Sequence, residues 1–127
     1  MRKMLVGTAV GVLATALVGT IAIAQQPDEV KVEASRIVKT VASKGVSGVE
    51  IVDMSLSYGV SYAGLDLASR AGAVELERRI SAAAHKACKE LGRQYPDSTP
   101  SDPECTRVTT DKGLVAAHAL EASAGKR

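Results

Sequence analysis

The chain has 127 residues, a formal net charge of +2, and no Trp or Phe, with three tyrosines as its only aromatic side chains. Acidic and basic residues interleave through positions 70–127, without a polybasic run. That pattern excludes the one-sided basic face and the aromatic stacking platform of a nucleic-acid binder, and the length allows a single small domain.

Residues 1–24 read as a secretory signal. Arg2 and Lys3 form a basic start, no charge follows until after Ala24, and the run ends in Ala22-Ile23-Ala24 before polar Gln25-Gln26-Pro27-Asp28-Glu29. A small-x-small site at the end of an uncharged run is where signal peptidase cuts. The competing reading is an uncleaved anchor, because about 20 apolar residues span a bilayer. The run is rich in Gly, Ala and Thr, however, so its hydrophobicity is modest. No Cys lies in or just after it, which argues against a lipid anchor. Cleavage after Ala24 removes Arg2 and Lys3 and leaves equal numbers of acidic and basic side chains. The expected location is periplasmic or secreted, with no stable membrane span after cleavage.

Residues 25–48 read as an N-terminal tail and first strand. Val30, Val32, Ala34, Ile37, Val38 and Val41 are β-formers in partial alternation, with a break expected near Ser35-Arg36. Two Gly and two Ser within residues 43–48 mark a turn. Residues 49–62 give the clearest strand. Val52, Met54, Leu56, Tyr58, Val60 and Tyr62 alternate with Asp53, Ser55, Ser57, Gly59 and Ser61. Strict alternation means one covered and one wet face and favours antiparallel pairing. Gly59 suggests a bulge or bend.

Ser69 is a suitable N-cap, because its hydroxyl can accept a free N–H of the first turn. The helix behind it carries Leu76, Ile80, Ala83, Ala84, Ala87, Cys88 and Leu91 on one stripe. Gly92 reads as its stop. After a loop with Pro96 and Pro100, Asp102-Pro103 opens a second helix, with Asp as cap and Pro in the first helical position. Cys105, Val108, Val115 and Ala119 are its candidate inward residues. Thr109, Thr110 and Gly113 weaken it intrinsically. Fraying is expected from Ala122, and residues 123–127 read as a disordered tail.

The segment Val60-Ser61-Tyr62-Ala63-Gly64-Leu65-Asp66-Leu67-Ala68-Ser69, running into Ala71-Gly72 and Leu76-Glu77-Arg78-Arg79-Ile80, resembles the UrcA family. That family comprises small exported bacterial proteins without an established biochemical activity. Cys88-Lys89-Glu90-Leu91, Tyr95-Pro96 and Cys105 follow its order. The resemblance covers roughly residues 49–120, so 49–122 is taken as a UrcA-like domain. Gly64 stands where the family usually has an acidic residue, and Arg70 where it usually has Pro. The resemblance implies export and topology and supplies no reaction.

Two cysteines in an exported chain imply oxidation. Cys88 near the end of one helix and Cys105 at the start of the next are expected to form one internal disulfide. A cross-link suits a domain whose apolar residues are largely alanine. The competing uses are a redox pair, for which Cys-x-x-Cys is missing, and a zinc site built from His85, Cys88, Cys105 and His118, whose spacing is poor. Gly59-Val60-Ser61-Tyr62-Ala63 superficially resembles a nucleophile elbow, but Ser61 lies in an alternating strand and not at a strained turn. Asp66 reads as a brace for the chain before Ser69, and Glu75, Glu77 and Glu90 as solvated helix charges. No cofactor loop, catalytic set or metal set stands out.

The expected fold is α+β: a small antiparallel β-hairpin or three-stranded sheet packed against a two-helix hairpin linked by one disulfide. The expected function is a non-enzymatic binding or structural module of the envelope, with an envelope partner or ligand. The alternative is a metal- or redox-active protein using Cys88 and Cys105 with His85.

Overall fold

The computed structural model describes residues 28–41 and 48–126. The signal segment 1–24 and nearly all of the turn at 43–48 fall outside the described residues. The architecture is α+β: two antiparallel strands, two helices and one disulfide.

β1 (Glu29–Val41) pairs with β2 (Val49–Ser61) residue for residue, from Glu29 opposite Ser61 to Val41 opposite Val49. Among the described residues the sheet therefore has two strands. A single further bridge joins Ile37 to Thr99 on the far side of β1. The alternation read in β2 holds: Val52, Met54, Leu56 and Tyr58 are half-buried, Val60 is buried, and the odd positions are exposed. Gly59 makes no bulge, since it sits in register opposite Lys31.

β1 is not broken at Ser35-Arg36. Arg36 occupies an inward position, in step with buried Val30, Val32 and Ala34, and is only 3% exposed. An arginine can continue an inward row because its guanidinium reaches past the sheet to acceptors on the helices.

α1 (Arg70–Gln94) starts as read: Ser69 Oγ accepts the Gly72 N–H at 3.0 Å. Its buried stripe is Gly72, Leu76, Ile80, Ala84, Ala87, Cys88 and Leu91. It does not stop at Gly92 but runs on to Gln94. Gly92 is there for room. A Cβ at that position would overlap the Asp102 carboxylate and press to 3.0 Å on Arg36 Nη2.

α2 (Asp102–Ala124) begins one residue earlier than read. Ser101 is its N-cap without a side-chain cap bond, and Asp102 is already helical. It extends to Ala124, past the expected fraying at Ala122. Its buried row is Cys105, Thr109, Gly113 and Ala117, while Val115 is 71% exposed and Ala119 also faces water. Cys105, held by the disulfide, sets this phase, and successive i+4 positions follow from it. The Thr and Gly that weaken the helix in isolation form its packing face. A Cβ on Gly113 would stand 2.6 Å from Ile80 Cγ2, so only glycine allows α2 to lie this close to α1.

The core has two layers. One gathers Val30, Val32, Val60, Leu76, Ile80 and Ala117. The other gathers Ala34, Ala87, Leu91 and the two cysteines, with Met54, Leu56, Tyr58 and Tyr95 at its rim. α1 lies over both strands, and α2 lies over β1. No described helix is long and apolar enough to cross a membrane.

Candidate functional site

The disulfide joins the two helices inside the core cluster that also holds Ala34 of β1. Cys88 and Cys105 are bonded, with Cα atoms 5.8 Å apart, inside the 4.4–6.8 Å a bridge needs. Both are buried, at 0% and 1% exposure, and Thr109 Oγ1 sits 3.6 Å from Cys88 Sγ. Arg36 enters the same layer from β1. Its Nη2 donates to the Cys88 carbonyl at 2.9 Å and to Asp102 Oδ1. One buried cation thus ties β1, the end of α1 and the first turn of α2 together. Asp102 also lies where the helix dipole favours a negative charge. Sequence reasoning missed this residue. The usable signals were an arginine in an inward strand position and a glycine inside a helix.

The segment at residues 62–69, which carries much of the family resemblance, is a folded connection. Asp66 Oδ1 accepts the Ala68 N–H at 3.1 Å, and the Asp66 carbonyl accepts the Ser69 hydroxyl at 2.7 Å. Asp66 braces the helix start, as read. Ser61 is exposed, and its Oγ accepts the Ala63 N–H at 3.3 Å. Tyr62, Leu65, Leu67 and Leu120, with Asp28 and Asp66, line an open depression of mixed polarity beside the end of α2.

The four residues weighed as a zinc set are not assembled. The thiols are joined to each other. His85 is exposed beside Asp102, Pro103 and Thr106. His118 lies elsewhere, with Nε2 3.2 Å from Glu77 Oε1 across the two helices. Glu121, one turn after His118, completes a group whose ligand-type atoms all lie within 4.8 Å. A carboxylate from one helix facing a His-x-x-Glu pair on the other is a donor set that suits a divalent ion. In the sequence alone Glu77 reads as a solvated helix charge, because its partners lie on the other helix.

A groove runs between β2 and α1, lined by Tyr58, Val60, Ala82 and Ala83 with Arg79 and Lys86 at its rim. Lys86 Nζ stands 4.8 Å from the Tyr58 ring centroid, a cation–π distance. Arg79 Nη1 donates to the Ser61 carbonyl at 3.0 Å and Arg79 Nε to Glu75 Oε1 at 2.8 Å. Arg78 grips the same carboxylate with two bonds. Hydrogen bonds from Arg78 and then Arg79 lower the Glu75 carboxyl to about 2. No protein family, no characterised protein and no solved structure matches this chain.

Proposed function

We propose that the protein is an exported, UrcA-like envelope protein that works as a non-enzymatic binding or structural module, not as a catalyst. The carrying observation is the Cys88–Cys105 bridge sealed in the core, since such a bridge persists in an oxidising compartment. Residues 1–24 supply a route to one. The polar groups nearest to a catalytic reading have structural occupations. Ser61 and Ser69 each accept a backbone N–H, Asp66 braces the helix start, and Arg36 joins three elements. A redox role for the cysteines with His85 is poorly served by this geometry, because thiol–disulfide exchange requires access to sulfur.

The test is fractionation followed by intact-mass analysis of the native protein. The expected species starts at Gln25, resides outside the cytoplasm and carries no free thiol. A cytoplasmic species with both thiols free would overturn the reading.

A further inference from the structure

We propose that two copies of this chain pair through the free edges of their β2 strands, antiparallel and centred on Ser55. The pairing makes one four-stranded sheet with the helices on a single face.

The first reason is an edge of β2 that none of the described residues pairs with. Sheet edges invite pairing, and proteins blunt them with charged side chains, lysine above all, and with proline, bulges or a covering segment. β1 carries Lys31 and Lys39, and Thr99 closes its far side at Ile37 through two main-chain bonds, 2.7 and 3.0 Å long. β2 has 13 residues with no lysine, arginine, proline or bulge, and its only charges are Glu50 and Asp53 in its first half.

The second reason is hydrogen-bond phase. The Tyr62 N–H bonds the Asp28 carbonyl at 2.8 Å. In an antiparallel ladder this turns the main chain of even-numbered β2 residues toward β1 and that of odd-numbered residues outward. The outward Ser61 carbonyl, bound by Arg79, agrees. Val49, Ile51, Asp53, Ser55, Ser57 and Gly59 therefore present main-chain groups to the open edge. Ser55 is the midpoint of the strand. A two-fold axis through it overlaps the whole strand and sets Asp53 opposite Ser57 of the second copy, and Ile51 opposite Gly59. Outward groups meet outward groups throughout.

The third reason is side-chain fit. On the solvent face every opposing pair has at least one small or polar member, with exposed Ile51 set against Gly59 and exposed Val49 against Ser61. On the helix face, half-buried Met54 meets Leu56 of the second copy, and Val52 meets Tyr58, completing burial that the single chain leaves unfinished. The charges match as well. On the helix face, one end of β2 carries Glu50, and the other lies against Lys86 and Arg79 of α1. The two-fold axis lays each acidic end along the other copy's basic groove. Because α1 straddles β1 and β2, the two α1 helices come to lie two strand spacings apart. That is about 9–10 Å, within the usual helix-packing distance of about 8–10 Å.

The experiment uses the purified disulfide-bonded protein and does not depend on its compartment. Light scattering or sedimentation should give twice the chain mass, and raised salt should weaken the association. The exposed change Ser55→Lys places like charges opposite each other at the axis and should return the monomer mass with the circular dichroism of the parent. Ser55→Cys should cross-link to its own mate on oxidation, since directly opposed residues in a hydrogen-bonded pair lie about 5.5 Å apart, within bridging range. Ser57→Cys, which this register sets away from its mate, should not cross-link. A monomer at millimolar concentration would overturn the proposal. So would a dimer that keeps its mass with Ser55→Lys, or one that cross-links through Ser57→Cys in preference to Ser55→Cys.

Discussion

Arg36 shows how one side chain can organise a core that is short of large apolar residues. Its guanidinium is buried, while the Asp102 side chain is about half exposed. The two ends of the pair therefore respond differently to substitution. Removing Asp102 leaves a buried cation with only the Cys88 carbonyl at Nη2, and uncompensated buried charge is costly. Asp102→Ala should destabilise the domain by about 3 kcal/mol or more. Arg36→Met removes the charge and keeps much of the stem. Its cost should stay under about 2 kcal/mol, because an apolar group of similar volume often replaces a buried ion at little loss. The Arg36 Nε, which has no partner among the described residues, points the same way, since the methionine abandons nothing there. Urea unfolding of both variants checks the order. A larger loss from Arg36→Met than from Asp102→Ala would mean that the ion pair itself carries the stability.

At the scale of elements, how legible each one was in the sequence depended on which residues form its buried face. β2 and α1 bury apolar side chains, so alternation in one and a helical stripe in the other located their faces correctly, as did the Ser69 cap. α2 buries Cys105, Thr109, Gly113 and Ala117. Its valines are the wrong guide, because close approach to Ile80 rewards small size over hydrophobicity. β1 reads as broken because an inward arginine violates the apolar pattern until its acceptors on α1 and α2 are known. The His118 group was equally hidden, since Glu77 is 41 residues away along the chain. The start of α1 adds a pH-dependent term that is local to this element. Glu75 holds Arg78 and Arg79, and through Arg79 it reaches the end of β2. Its carboxyl is lowered to about 2 from an ordinary 4.5. A depressed acid stabilises the fold above its unfolded value and loses that contribution as pH falls through the folded value. The stabilisation should be complete above about pH 5 and decline toward pH 2. Thermal melts across that range should show a shallower acid limb in Glu75→Gln than in the parent. Parallel curves would show that the arginine cluster contributes nothing to acid stability.

For the whole molecule, the disulfide decides how much stability remains after so small a core has been ordered. The residues between Cys88 and Cys105 form a closed loop, with the cysteines 17 positions apart. Restricting the unfolded chain by a loop of that size is worth about 3 kcal/mol, a large part of the roughly 5–10 kcal/mol typical of a domain. The same bridge sets the rotation of α2 and therefore places Gly113 on Ile80. It also fixes the distance between the Cys88 carbonyl and the Asp102 carboxylate that Arg36 spans. Its loss should reach beyond chain entropy into that contact, so the effects of removing the bridge and of Arg36→Met should fall short of additive. The paired substitution Cys88→Ala with Cys105→Ala should lower the melting temperature by about 10–20 °C, since about 1 kcal/mol moves a domain of this size by about 4–8 °C. Chemical reduction of the parent should give a similar shift, because in both cases the unfolded chain regains the same freedom. Both measurements belong at one protein concentration, because a self-associating chain melts higher as concentration rises. A doubly substituted protein that melts within a few degrees of the parent would show that packing of α2 on Ile80 and Val32 suffices to set its phase without the bridge.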